Sequence, residues 1–176
     1  GPAFTAAYQS VFDMRKEYPK ATHPMENLAF KYALNIPYGD SNNRHSYVYD
    51  PLYTMSITIN GQLLLCMLGE WLMTVPGVSM IQANTDGITF KAPRAARDRI
   101  KQICAAWEQY TCLKLEYAYY QAMYIRDVNN YIAHYVPDEK NPEGKRKLKG
   151  DYVHQEIPWH KDHSAVIIAR AVEQFL

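Results

Sequence analysis

Gln82-Ala83-Asn84-Thr85-Asp86-Gly87-Ile88 lies between two runs rich in β-formers, residues 78–83 and 88–91. The pattern predicts a β-hairpin that carries one carboxylate, Asp86, at its tip. A carboxylate held on a tight turn can offer both oxygens to a hard cation. Asp-Gly is also a common turn pair, needed for nothing beyond backbone conformations with positive φ. Taken by themselves, the seven residues leave both readings open.

Working outward, residues 54–73 form a long helix with Ile57, Leu64, Leu65, Leu68 and Leu72 at core spacing. Gly61 costs about 1 kcal/mol against Ala within such a helix, so it marks a close approach, of a packed helix before that of a strand or ligand. Pro76-Gly77 turns the chain into the hairpin. Residues 92–110 return to helix, opened by Pro93. Arg94, Arg97, Arg99 and Lys101 surround Ile100, Ile103, Ala106 and Trp107 there, and they read as a solvated basic face.

Upstream, residues 3–20 predict a helix whose basic end, Arg15, Lys16 and Lys20, suits the helix dipole. Thr22-His23-Pro24-Met25-Glu26 starts a second helix, with Leu28, Phe30, Ala33 and Leu34 on one face. That helix is expected to end across residues 35–40, because Pro37 removes a donor and pushes Ile36 out of helical conformation. Residues 41–53 read as a polar and aromatic loop, with Asp50-Pro51 as a turn. Downstream, residues 114–119 and 122–136 predict two strands. The second brings Arg126, Asn130 and Tyr131 close together, although Asn129-Asn130 is a poor strand dipeptide. A loop at 137–144 precedes the basic cluster Lys145-Arg146-Lys147-Leu148-Lys149-Gly150. A helix over 164–176, capped by Asp162 or Ser164, closes the chain. This order of elements predicts an α+β fold.

A chain of 176 residues can bury about 70% of its unfolded surface in one domain or two intimate subdomains. Nineteen Lys and Arg against 18 Asp and Glu leave almost no net charge, so a basic surface must come from local clustering. The 15 tyrosines suit a surface that binds a polar ligand, and equally a packed sheet. Cys66, Cys104 and Cys112 follow no metal-ligand spacing, lie inside apolar stretches and read as reduced core thiols of a cytosolic protein. The longest apolar run, residues 63–73, contains Glu70 and is too short to cross a bilayer, so neither a membrane span nor a signal peptide is expected. Gly1-Pro2 resembles the scar of a tag-removing protease, which predicts an engineered start with native sequence upstream.

Lys31-x-x-x-Asn35-x-x-Tyr38-Gly39, followed some 45 residues later by Asn84-Thr85-Asp86, resembles the family B DNA polymerases, especially their compact bacteriophage-like branch. The first element is similar to motif B, a fingers helix ending Lys-x-x-x-Asn-Ser-x-Tyr-Gly. The second is similar to motif C, usually Asp-Thr-Asp-Ser in a palm hairpin. A Gly-Gln-Leu helix joins them, and the resemblance covers nearly the whole chain. It implies fingers helices over 1–45, a palm with the motif C hairpin over 46–136, and a palm–thumb junction with the start of the thumb over 137–176. The implied activity is template-directed transfer of deoxynucleotides to a primer 3′ end by two Mg²⁺ ions. The implied partners are primer-template DNA and deoxynucleoside triphosphates. The implied setting is the cytoplasm, that of a bacterial host if the protein is viral.

By this resemblance Lys31 would contact the incoming triphosphate, with Arg15 and Lys20 as a basic pair on the facing fingers helix. Phosphoryl transfer depends on positioning and charge neutralisation, which cations on helices can supply. Asn35 and Tyr38 would lie against the nascent base pair, and Gly39 would let the backbone come close. Asp86 would bind the catalytic metals. Arg126, Asn130 and Tyr131 resemble the Lys-x-Tyr strand that holds the primer backbone. Lys147 and Lys149 would contact duplex phosphates, although a solvated charged loop explains them equally. The chain departs from the family at Ile36-Pro37 in motif B and at Asn84 and Gly87 in motif C. Motif A, which supplies the other metal-binding Asp, is missing, and Asp50 reads as a turn residue. Two divalent ions need at least two bridging carboxylates. The resemblance therefore implies an upstream polymerase segment carrying motif A, with or without an exonuclease domain, outside this chain. The alternative is a non-catalytic nucleic-acid-binding or assembly module that keeps the palm scaffold.

Overall fold

The computed structural model describes residues 1–137, 142, 144–153 and 166–176. It is a mixed α+β protein. Its helices are α1 (Pro2–Glu17), α2 (Pro24–Ser41), α3 (Pro51–Met73), α4 (Arg97–Thr111) and α5 (Val166–Phe175). Strands β1 (Ser79–Ala83) and β2 (Ile88–Lys91) form one antiparallel sheet; β3 (Tyr120–Asp127), β4 (Asn130–Tyr135) and β5 (Arg146–Lys149) form a second, with β4 central. The chain divides into two compact units, Gly1–Leu63 and Leu64–Leu176.

In the first unit, Asn27 Nδ2 donates to the Tyr18 carbonyl (2.7 Å) and Tyr18 packs on Phe30, which fixes the turn between α1 and α2. Contrary to expectation, α2 continues through Pro37 to Ser41. The proline ring is compatible with helical φ and forfeits one backbone bond. Tertiary bonds hold the last turn in compensation: the Ser41 hydroxyl donates to the Tyr38 carbonyl (2.7 Å) and meets Thr54 Oγ1, and Tyr38 Oη meets Thr58 Oγ1 at 2.9 Å. Asp50 is more than a turn residue. Its carboxylate accepts from the Tyr53 amide (3.0 Å) and caps α3, which begins at Pro51, inside the expected loop.

This part of α3 is patterned inside out. Thr54 and Thr58 meet α2, whereas Leu52, Met55, Ile57, Ile59 and Leu63 are exposed. Leu34 and Ser41 are the buried residues of α2, and α1 has none. No charged residue occurs from Pro51 to Gly69. With 23 residues α3 is long and apolar enough to cross a membrane, as many core helices are, so the expected shortness of the apolar run does not hold.

In the second unit, the C-terminal half of α3, the β1–β2 hairpin and α4 share one core of Leu68, Leu72, Val75, Val78, Ile103, Cys104 and Trp107. The Trp107 indole donates to the Leu64 carbonyl at 2.9 Å. The close approach falls at Gly69: a Cβ there would lie 3.3 Å from Met80 Cε and 3.6 Å from Ile88 Cδ1. One at Gly61 would meet nothing within 4 Å.

Residues 114–119 form no strand, since the Leu115 amide donates to Glu108 Oε1 (2.7 Å) rather than to a neighbouring strand. Nor is 122–136 one strand. It folds back at Val128-Asn129, because the Asp127 carboxylate accepts from the Asn129 amide (3.1 Å) and from Asn130 Nδ2 (2.7 Å), making a side-chain-closed turn of the poor strand dipeptide. The basic cluster supplies β5, pairing Lys149 with Tyr131 and Lys147 with Ala133. Gly150 follows in the left-handed region at φ +69°. α5 buries Ala169. Its expected caps, Asp162 and Ser164, lie outside the described residues, as does most of the 137–144 loop.

Candidate functional site

The β1–β2 hairpin forms as its sequence predicts, with Ala83 opposite Ile88. The Asn84 amide donates to the Gly87 carbonyl (2.9 Å), and the Asp86 amide donates to Asn84 Oδ1 (3.3 Å). Asn84 therefore organises the tip through its side chain. Gly87 does not adopt positive φ, so the simplest explanation of Asp-Gly, a turn needing glycine's freedom, does not apply. Asp86 is exposed, and no described side chain pairs with its carboxylate. Two free oxygens suit a hard cation but satisfy only part of the six-ligand shell that Mg²⁺ takes. Among the described residues no three His, Cys, Asp or Glu side chains gather. The chemistry present thus fits one ligand of a metal site and not the whole of one.

In the Gly1–Leu63 unit, Lys31, Asn35 and Tyr38 recur at i, i+4 and i+7 and share one exposed stripe of α2. Gly39 follows on that helix with no atom near the place of a Cβ, which leaves the backbone open. Arg15 occupies the last turn of α1, and Lys20 lies in the α1–α2 turn. Neither forms an ion pair among the described residues; Lys16 instead takes Asp13 at 2.9 Å. These six residues belong to one unit and Asp86 to the other.

On the three-stranded sheet, the alternation of side chains puts Tyr131, Ala133 and Tyr135 of β4 on one face with Lys147 and Lys149 of β5. Lys147 Nζ stands 6.0 Å from the centre of the Tyr131 ring and 3.5 Å from Tyr120 Oη. The Tyr120 and Tyr135 rings are 4.9 Å apart. Burial alone pulls the Lys147 ammonium down, but Tyr120, Tyr131 and Tyr135 outweigh it and hold the group above its ordinary value. Burial, and then the bond to Tyr135, raises Tyr120. The result is a cation seated among phenol rings.

Arg126 and Asn130 take no part in that array. Arg126 Nη1 pairs with Asp151 Oδ2 at 2.7 Å, and Asn130 Oδ1 accepts from the Asp151 amide at 2.8 Å while its Nδ2 holds Asp127. Of the expected primer-strand residues, then, the sheet groups Tyr131 with Lys147 and Lys149. Asn130 is spent on joining the β3–β4 turn to the Gly150 turn. Sequence reasoning missed Tyr120 and Tyr135, whose signal was the tyrosine count once 122–136 is divided into two strands.

Fold and site together define an α+β protein with a carboxylate-tipped hairpin and a basic, tyrosine-rich sheet face. No protein-family model matches the chain, and no curated protein matches it.

Proposed function

We propose that the chain is the fingers, palm and initial thumb of a DNA-directed DNA polymerase of the family B type. It would extend a primer 3′ end together with a segment that carries motif A. One observation carries this reading: the motif B-like and motif C-like stretches each lie in the kind of element their role requires. Lys31, Asn35, Tyr38 and Gly39 lie along a single helix, and Asp86 stands free at the tip of a hairpin. The continuation of α2 through Pro37 supports the motif B reading, because the departure in sequence does not interrupt the helix.

In this reading Arg15, Lys20 and Lys31 neutralise the triphosphate. Tyr38 presents a ring to the nascent pair with its hydroxyl held by Thr58. Lys147 and Lys149 hold duplex phosphates without reading bases. Asp86 supplies one carboxylate toward Mg²⁺, which when bound would stabilise charge on the transferring phosphoryl group. A second reading, a nucleic-acid-binding module without chemistry, draws on the solitary state of Asp86.

Primer extension by the chain joined to a motif A segment, with Mg²⁺ and deoxynucleoside triphosphates, distinguishes the two. Asp86→Ala should lower extension by a hundredfold or more, on the order of losing one preorganised electrostatic group, with primer-template affinity nearly unchanged. Extension that survives the substitution refutes the metal assignment. Affinity without any extension, in wild type and variant alike, favours the binding module.

A further inference from the structure

The hairpin leads into a second cationic surface that the proposed function does not use. Lys91 ends β2, Arg94 lies in the 3₁₀ turn Arg94–Ala96, and Arg97 and Lys101 follow on α4. All four are exposed, and none forms an ion pair among the described residues. Asp98 is the one acidic residue from Lys91 to Lys101, and it too is unpaired. Spacings of three and four residues put Arg94, Arg97 and Lys101 on one side. Arg97 lies over the Tyr119 ring, 5.9 Å from its centre.

Unpaired cations in a row repel one another, a standing cost that a polyanion relieves. From Arg94 to Lys101 the row extends roughly 10 Å at about 1.5 Å per helical residue. One strand of a duplex presents a phosphate every roughly 3.4 Å along the axis, and an unpaired strand is more extended, so the row matches at most about three phosphates. Arginine's planar fork matches phosphate oxygens, and an arginine resting on a tyrosine combines the charge and the flat ring that single strands use. A flexible acidic peptide would match the charge, but it would have no use for the ring.

We propose that Lys91, Arg94, Arg97 and Lys101 form a nucleic-acid-binding surface that grips the sugar-phosphate backbone of a single strand without reading its bases. It is distinct from the Lys147–Lys149 face, and it requires no polymerase chemistry.

The test is fluorescence anisotropy of a labelled oligothymidine against a salt series, using the whole chain. Neutralising Arg94, Arg97 and Lys101 together to Gln should weaken binding and flatten the slope of log K against log salt by about 2, that is about 0.7 for each lost contact on a single strand. Circular dichroism should be unchanged, since the three side chains are exposed. Arg97→Lys keeps the charge and should keep the slope while weakening affinity through the lost stack. The Lys147→Gln/Lys149→Gln pair should leave the α4 contribution intact, which separates this surface from the sheet face. An unchanged slope in the triple variant would overturn the proposal. So would polyglutamate competing as well as oligothymidine, which would assign the surface to acidic peptides.

Discussion

Gly150→Ala should unfold the β3–β4–β5 sheet far more readily than any other single methyl added to an exposed glycine. The backbone there is left-handed, at φ +69°, which costs an L-residue about 1–2 kcal/mol. A Cβ would also run into Asn130 Oδ1, the Asn129 carbonyl and Asn130 Cγ. Relief requires the Asn129 backbone to shift and Asn130 to withdraw, and the second alone breaks its 2.8 Å bond from the Asp151 amide and forfeits about 1 kcal/mol more. Without the cost of moving the Asn129 backbone the sum is already about 2–3 kcal/mol, so Tm should fall by at least roughly 4–12 °C at about 2–4 °C per kcal/mol. Urea unfolding gives the free energy, and hydrogen exchange at the Asp151 amide shows whether the loss is local. Asn130→Ala alone, which removes the bonds to both the Asp151 amide and Asp127, should cost about 2 kcal/mol. The double variant should lose less than the sum, because one carbonyl oxygen of the collision is gone. A Gly150→Ala protein within about 0.5 kcal/mol of wild type, or one with full protection at Asp151, would falsify the account.

Gly61→Ala should act in the opposite direction, raising stability by about 1 kcal/mol in thermal melts, because the residue is helical and a Cβ there meets nothing. Of the three thiols expected in the core only Cys104 is buried, whereas Cys66 and Cys112 are exposed, so at mildly alkaline pH Cys66 and Cys112 should react with a disulfide reagent in the native protein while Cys104 waits for unfolding. Burial pushes the Cys104 thiol up, partly countered by a bond to Tyr117, so the folded chain keeps a proton that the unfolded chain releases. Its contribution to stability is complete below the ordinary thiol value and is lost as pH rises from there through the raised one. Melting temperature should therefore fall on that alkaline limb, and less steeply in Cys104→Ala.

What was legible in the sequence was the local and periodic part. The β1–β2 hairpin, α1 and the amphipathic α4 follow from alternation, turn residues and helical spacing, and they appear within a few residues of expectation. The errors share a cause, namely side chains that satisfy the backbone from a distance. Pro37 reads as a stop, yet Ser41 and Tyr38 bind Thr54 and Thr58 from α3 and carry the helix past it. Asp127 closes a turn in what reads as one strand, and Glu108 takes the amide that would have begun another. Gly61 and Gly69 are alike in sequence, and only the position of the hairpin distinguishes them. At the candidate site, the exposed tip of Asp86 and the α2 stripe were legible because each depends on neighbours in sequence. The grouping of Tyr120, Tyr131, Tyr135 and Lys147 depends on register across three strands, which no local pattern encodes.

The inside-out start of α3 reverses the usual rule for choosing substitutions. On most helices the outward positions take charge freely, and the inward ones demand oil. Here the inward contacts are hydroxyls, so Val at Thr54, nearly the same shape, would leave Ser41 with the Tyr38 carbonyl alone and cut its tie to α3. The outward positions, Met55, Ile57 and Ile59, carry the oil. An exposed apolar row of this kind is a surface for association, so a charge placed at Met55 or Ile59 should raise solubility without disturbing the core around Leu72.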